Sequence, residues 1–157
     1  MKRFAAIVIL SLALTAHANN MPYNGAVDAN RELQQAFVES HQTKQPILLI
    51  FGANWCEDCR ALDEALKTEK NAALMAKKFK VVKIDVGNFD HNLDISARYG
   101  NPIQKGIPAA VILSPENKIL YTTHAGELAN ARRMSANGVY DFFSNLLKKT
   151  SSINMSK

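Results

Sequence analysis

Apolar residues fall along the chain in two rhythms. Through residues 28–44, Leu33, Phe37 and Val38 recur as on one side of a helix, Asp28 stands where an N-cap would, and Pro46 closes the stretch. Ile47-Leu48-Leu49-Ile50-Phe51 is instead apolar without a break and bounded by Pro46 and Gly52, the pattern of a central strand covered on both faces. Ala53-Asn54-Trp55 links this strand to a second helix that opens at Cys56 and carries Leu62, Ala65 and Leu66 at helical spacing. A further helical stretch is predicted over 71–78, followed by a buried strand over 81–86. Residues 88–90 turn the chain. Leu93, Ile95, Ala97 and Tyr99 support a short helix ended by Gly100, and a loop beginning at Asn101-Pro102 runs on to Gly106. Strands over 109–113 and 119–123 flank the turn Pro115-Glu116-Asn117 as a hairpin. Val139, Phe142, Phe143, Leu146 and Leu147 then form one stripe of a closing helix over about 135–149, with a frayed tail from Thr150 to Lys157. This order predicts an α/β architecture, a central mixed β-sheet flanked by helices on both faces.

The N-terminus follows a different rule. Lys2 and Arg3 precede an apolar and small-residue run from Phe4 to Leu14, and Ala16-His17-Ala18 follows. That is the pattern of a secretory signal peptide over 1–18, cleaved near Ala18, and the run is too short to cross a ~30 Å hydrocarbon core. An uncleaved membrane anchor is the alternative. Residues 19–157 suit one domain with its core at about 28–149. Lys2 and Arg3 supply two of the formal +5 charges. The other basic residues, such as Lys77-Lys78 and Arg132-Arg133, are scattered among acids without interleaved aromatics, so no nucleic-acid interface is indicated.

The candidate chemistry rests on two cysteines, Cys56 and Cys59, separated by two residues in a chain that carries no others. A bridge between them closes a very short loop and constrains the unfolded chain little, so the pair suits electron exchange better than holding a fold. Its position at a strand-to-helix junction sets the roles. Free N–H groups and the helix dipole favour a thiolate at Cys56, the nucleophile, and Cys59 lies one turn further in as the resolving group. A purely structural disulfide is the competing reading. His41, His91 and His124 are dispersed and show no ligand spacing, so no metal site is expected.

Phe51-Gly52-Ala53-Asn54-Trp55-Cys56-Glu57-Asp58-Cys59-Arg60 resembles the active-site segment of the thioredoxin superfamily. Gly106-Ile107-Pro108-Ala109, after Tyr99-Gly100, resembles that family's cis-proline segment, with Pro108 49 residues after Cys59, and Gly126 falls close to a family glycine. The resemblance covers roughly 28–149 and implies a thioredoxin-like fold and a thiol-disulfide oxidoreductase working on protein thiols and disulfides. It implies no cofactor beyond the Cys56-Cys59 disulfide, and substrate contacts at Trp55, Ile107 and Pro108. It also implies a periplasmic or otherwise exported monomer recycled by a membrane electron donor of the DsbD type. Two departures stand out. Ile50 occupies the place of the family's buried aspartate, which leaves Glu57 and Asp58 of the active-site loop as candidate proton acceptors or as plain solvated acids. The stretch from Asp85 to Pro108 is longer than in simple thioredoxins. Two carboxylates beside Cys56, together with Ile107 before the proline, favour a reductase. An oxidase, an isomerase, a redox-inactive binding module or chaperone, and a metal-handling protein remain open.

Overall fold

The computed structural model describes residues 21–155. The signal-peptide expectation for 1–18 lies outside them. A short arm leads into α1 (Ala29–Thr43), and Asp28 caps this helix by accepting hydrogen bonds from the backbone N–H groups of Asn30 and Arg31. Removing that acceptor, as in Asp28→Ala, is expected to cost about 1 kcal/mol, read as a lower urea midpoint at unchanged slope.

β1 (Ile47–Gly52) follows, then α2 (Glu57–Lys67), α3 (Glu69–Lys78), β2 (Lys80–Asp85) and α4 (Leu93–Arg98). A 3-10 turn (Pro102–Lys105) precedes the hairpin β3 (Ala109–Leu113) and β4 (Ile119–Thr122), and α5 (Ala136–Met155) closes the described chain. The strands lie in the order β2-β1-β3-β4, with β1 parallel to β2 and antiparallel to β3. This is the mixed sheet with helices on both faces that the sequence pattern implies.

Strand alternation sorts the unbroken apolar run of β1 into two cores. Ile47, Leu49 and Phe51 pack with Leu33 of α1 and Ile95 of α4, in a cluster that also holds both cysteines. Leu48 and Ile50 pack with Leu62 of α2, Met75 of α3 and Val139 and Phe143 of α5. Two expectations need correction. Val38 is exposed, because five residues turn a helix by about 500°, which carries Val38 roughly 140° from Leu33. The short helix expected around Ile95 forms as α4, and a 3-10 turn follows it. The tail does not fray at Thr150, since α5 continues to Met155 and the buried Thr150 hydroxyl donates to the carbonyl of Leu146.

One register places the site. Phe51 pairs with Ala109, so the chain leaving β1 toward Cys56 runs beside the chain entering β3 from Pro108.

Candidate active site

Cys56 is the N-cap of α2, with extended backbone, and its sulfur accepts a hydrogen bond from the Cys59 N–H at 3.1 Å. The two residues form a disulfide across a Cα–Cα distance of 5.2 Å. Glu57 opens the helix proper, so the cysteine lies just outside its positive end, where backbone N–H groups lack intrahelical partners. Cys59 is almost fully buried, at 1% exposure, against 6% for Cys56. The first cysteine is therefore the more open to a partner.

The Ile107–Pro108 peptide is cis, and the Ile107 carbonyl oxygen lies 3.6 Å from Cys56 Sγ. Ile107 lines a groove of about 490 Å³ that also exposes Cys56, whereas Pro108 is buried. Trp55 forms one wall of the groove. Its indole N–H donates to the Gly87 carbonyl at 2.8 Å, and its ring meets Phe89 edge-on at 6.0 Å. Both rings are exposed, Trp55 at 54% and Phe89 at 43%, so an apolar shelf stands beside the disulfide. Gly126, at φ +74°, lets its turn pass the backbone of the segment leading to Pro108, for a Cβ there would sit 2.8 Å from the Lys105 carbonyl oxygen.

Glu57 and Asp58 are not the free acids of the sequence reading. Arg132 Nη1 donates to Glu57 at 2.6 Å, and the Arg132 backbone N–H donates to Asp58 Oδ1 at 2.9 Å. The guanidinium offsets part of their negative charge and ties the active-site helix to the 3-10 turn at Ala131–Arg133. Ile50 packs in the second cluster, where its register partner in β2 is Lys83. Lys83 is paired with Asp63, a carboxylate that α2 supplies four residues after Cys59, and Lys67 also holds it at 2.7 Å. A buried acid thus stands on the Ile50 side of the sheet, but it arrives from the helix.

Burial alone pushes the Asp63 carboxyl up, and hydrogen bonds from Lys67 and Lys83 outweigh this and hold it below its ordinary 3.8. A depressed native value contributes stability above the unfolded one and loses it as pH falls through the native one. Asp63→Ala is therefore expected to cost about 1.5–3 kcal/mol at pH 7. The gap from the parent narrows as pH falls below about 3.8 and closes only below the lower native value, as urea unfolding at pH 7 and at successively lower pH would read. Among the described residues, no group of three or more His, Cys, Asp or Glu side chains could hold a metal ion.

Sequence reasoning missed Tyr23, Asp63, Phe89 and Arg132. Asp63 carried one usable signal, its position one helical turn beyond Cys59 on the same face. Tyr23 is buried against the disulfide, and Asn54 pins it twice. The Tyr23 N–H donates to Asn54 Oδ1 at 3.0 Å, and Asn54 Nδ2 donates to the Tyr23 carbonyl at 2.7 Å.

Comparison with known proteins agrees with this geometry. Residues 28–115 match the thioredoxin-like family model. A solved disulphide isomerase from Xylella fastidiosa Temecula1 is 55% identical, with a TM-score of 0.81 over 83% of this chain and 99% of that one. A DsbH oxidoreductase structure, 20% identical, shares the fold with a TM-score of 0.55 over 90% of this chain and 94% of that one. The thiol:disulfide interchange protein DsbD of Campylobacter jejuni strain RM1221 is 32% identical over 59 residues, 38% of this chain. The match spans only about a tenth of that curated relative's length.

Proposed function

The chain belongs to the thioredoxin-like family and is a thiol-disulfide oxidoreductase, and from that membership we propose that it is exported and reduces disulfides in protein substrates. Thioredoxin-like proteins use no cofactor besides the disulfide, so the cysteine pair is the whole redox group. Cys56 attacks. Its thiolate forms a bond to one substrate sulfur and the other leaves. Cys59 then attacks Cys56 Sγ, the Cys56-Cys59 disulfide forms, and the first substrate sulfur departs reduced. The observation that carries this reading is the placement of Cys56 as the N-cap of α2, open to the groove, with Cys59 buried one turn behind it.

Trp55 and Ile107 serve in this reading as substrate contacts, the Ile107 backbone pairing with an extended segment of the partner and Pro108 shaping it. Glu57 and Asp58 act through Arg132 as a structural tie and not as bases. Their partly offset charge weakens one of the two arguments for a reducing direction, and Ile107 carries more of it. Residues 1–18 act as the signal peptide and 19–157 as the working domain. In an oxidising compartment the oxidised pair needs an electron donor, and the likeness to a segment of DsbD supports a donor of that type.

The disulphide isomerase from Xylella fastidiosa favours a second reading, in which a substrate thiol displaces Cys56 before Cys59 does. The first step is shared, and Cys59 separates the two. With insulin as substrate, the reductase reading expects turnover under dithiothreitol that Cys59→Ala abolishes. With scrambled ribonuclease, the isomerase reading expects reactivation that survives Cys59→Ala. A binding module would need neither cysteine, and substrate capture undiminished in Cys56→Ser/Cys59→Ser without turnover by the parent would overturn both readings.

A further inference from the structure

The buried side of the disulfide holds a phenol. Gly52 ends β1 without a side chain, and a Cβ placed there would strike the Tyr23 hydroxyl and ring and come within 2.9 Å of Cys59 Sγ. The tyrosine oxygen and the resolving sulfur therefore both border the space that a side chain at Gly52 would fill. Tyr23 is 4% exposed and belongs to the same core cluster as both cysteines. The arm that carries it has no helix or strand to hold it. Instead the two hydrogen bonds to Asn54 fix its backbone, and Arg60 Nη1 donates to the Asn54 carbonyl at 2.6 Å. The residue that links β1 to the cysteines thus also holds the phenol under them.

We propose that the Tyr23 hydroxyl is the hydrogen-bond donor that stabilises the Cys59 thiolate during the resolving step. This inference rests on the oxidoreductase reading. In the mixed disulfide, Cys59 is a buried thiol whose ionisation burial opposes. The phenol donates to the forming thiolate and keeps its own proton. Cys59 Sγ then bonds to Cys56 Sγ, the bond from Cys56 to the substrate sulfur breaks, and that sulfur takes the proton Cys59 has lost. The charged groups that act on the phenol are Asp63 from α2, with its partners Lys67 and Lys83, and Asp85 from β2. Burial, with Asp63 and then Asp85, pushes the phenol up, so it remains a neutral donor. Asp63, held ionised by two lysines, is a weak base.

The test uses the protein expressed from its full chain, reduced, and mixed with Ellman's disulfide in a stopped-flow instrument. The first burst of nitrothiobenzoate reports attack by Cys56, and the second reports resolution by Cys59. Tyr23→Phe keeps the ring and removes the donor. The expected result is a Cys59 midpoint raised by about one pH unit in the second phase, with the first phase unchanged. At pH 7 thiolate falls about tenfold, and the greater nucleophilicity of the more basic sulfur recovers part of this, leaving resolution about three- to fourfold slower. Asn54→Ala, which frees the arm but keeps the phenol, is expected to move the same phase in the same direction. A second phase with unchanged rate and midpoint in Tyr23→Phe would overturn the inference while leaving the oxidoreductase reading intact. A parent protein that releases no second burst would overturn the reading itself.

Discussion

Replacing Cys56 with Ser is expected to reduce disulfide exchange at least about a thousandfold, because the serine hydroxyl is not ionised near neutral pH and no other thiol reaches the groove. Cys59→Ser is expected to behave differently. The first step survives, the mixed disulfide with Cys56 has no internal partner to release it, and a covalent protein-substrate adduct accumulates. Non-reducing gels and intact mass after incubation with an oxidised substrate distinguish the two variants. Adducts forming equally through both cysteines would contradict the asymmetry that the burial of Cys59 implies.

The largest effect on stability is expected from Phe143→Ala. Phe143 is fully buried in the second core, in edge-on contact with Phe79 at 6.4 Å and Phe142 at 5.1 Å. Truncation leaves a cavity bounded by α3, α5 and the sheet, and such changes cost about 3–5 kcal/mol. Against a typical total of about 5–15 kcal/mol, this puts the variant near the edge of folding at 37 °C. The cysteines belong to the other core cluster, so exchange measured at low temperature, where the variant remains folded, is expected to match the parent. Urea unfolding at 15 °C measures the loss, and a cost below about 1 kcal/mol would show that the core closes over the gap.

The sequence made the frame legible where one residue type settles a local choice. Pro46 and Gly52 bracket an apolar run too short for a helix, and β1 forms between them. Asp28 advertises a cap, and two cysteines at the end of a strand advertise their chemistry. What the sequence concealed depends on distant pairing. Arg132 reaches Glu57 across 75 residues, and nothing in Arg132-Arg133 marks one of the pair as an active-site partner. Phe89, in the left-handed region at φ 63°, reads as an ordinary turn residue until Trp55 is beside it. Tyr23 stands in an arm without periodicity, and only the absent side chain at Gly52 makes room for it. Asp63 hid in plain view, because a carboxylate one turn before a lysine on a helix usually reads as solvated surface.

The helix terminus at Cys56 and the buried Cys59 together imply a reversible two-electron couple. Its equilibrium in glutathione buffers, followed by thiol alkylation and mass on protein expressed from the full chain, measures this directly. A single transition from dithiol to disulfide, near the value of about −270 mV at which thioredoxin works, is the expected result. A midpoint near the about −120 mV of the oxidant DsbA would reverse the direction of electron flow, and a pair that neither oxidises nor reduces across the whole range would contradict the assignment of Cys56 and Cys59 as the redox centre.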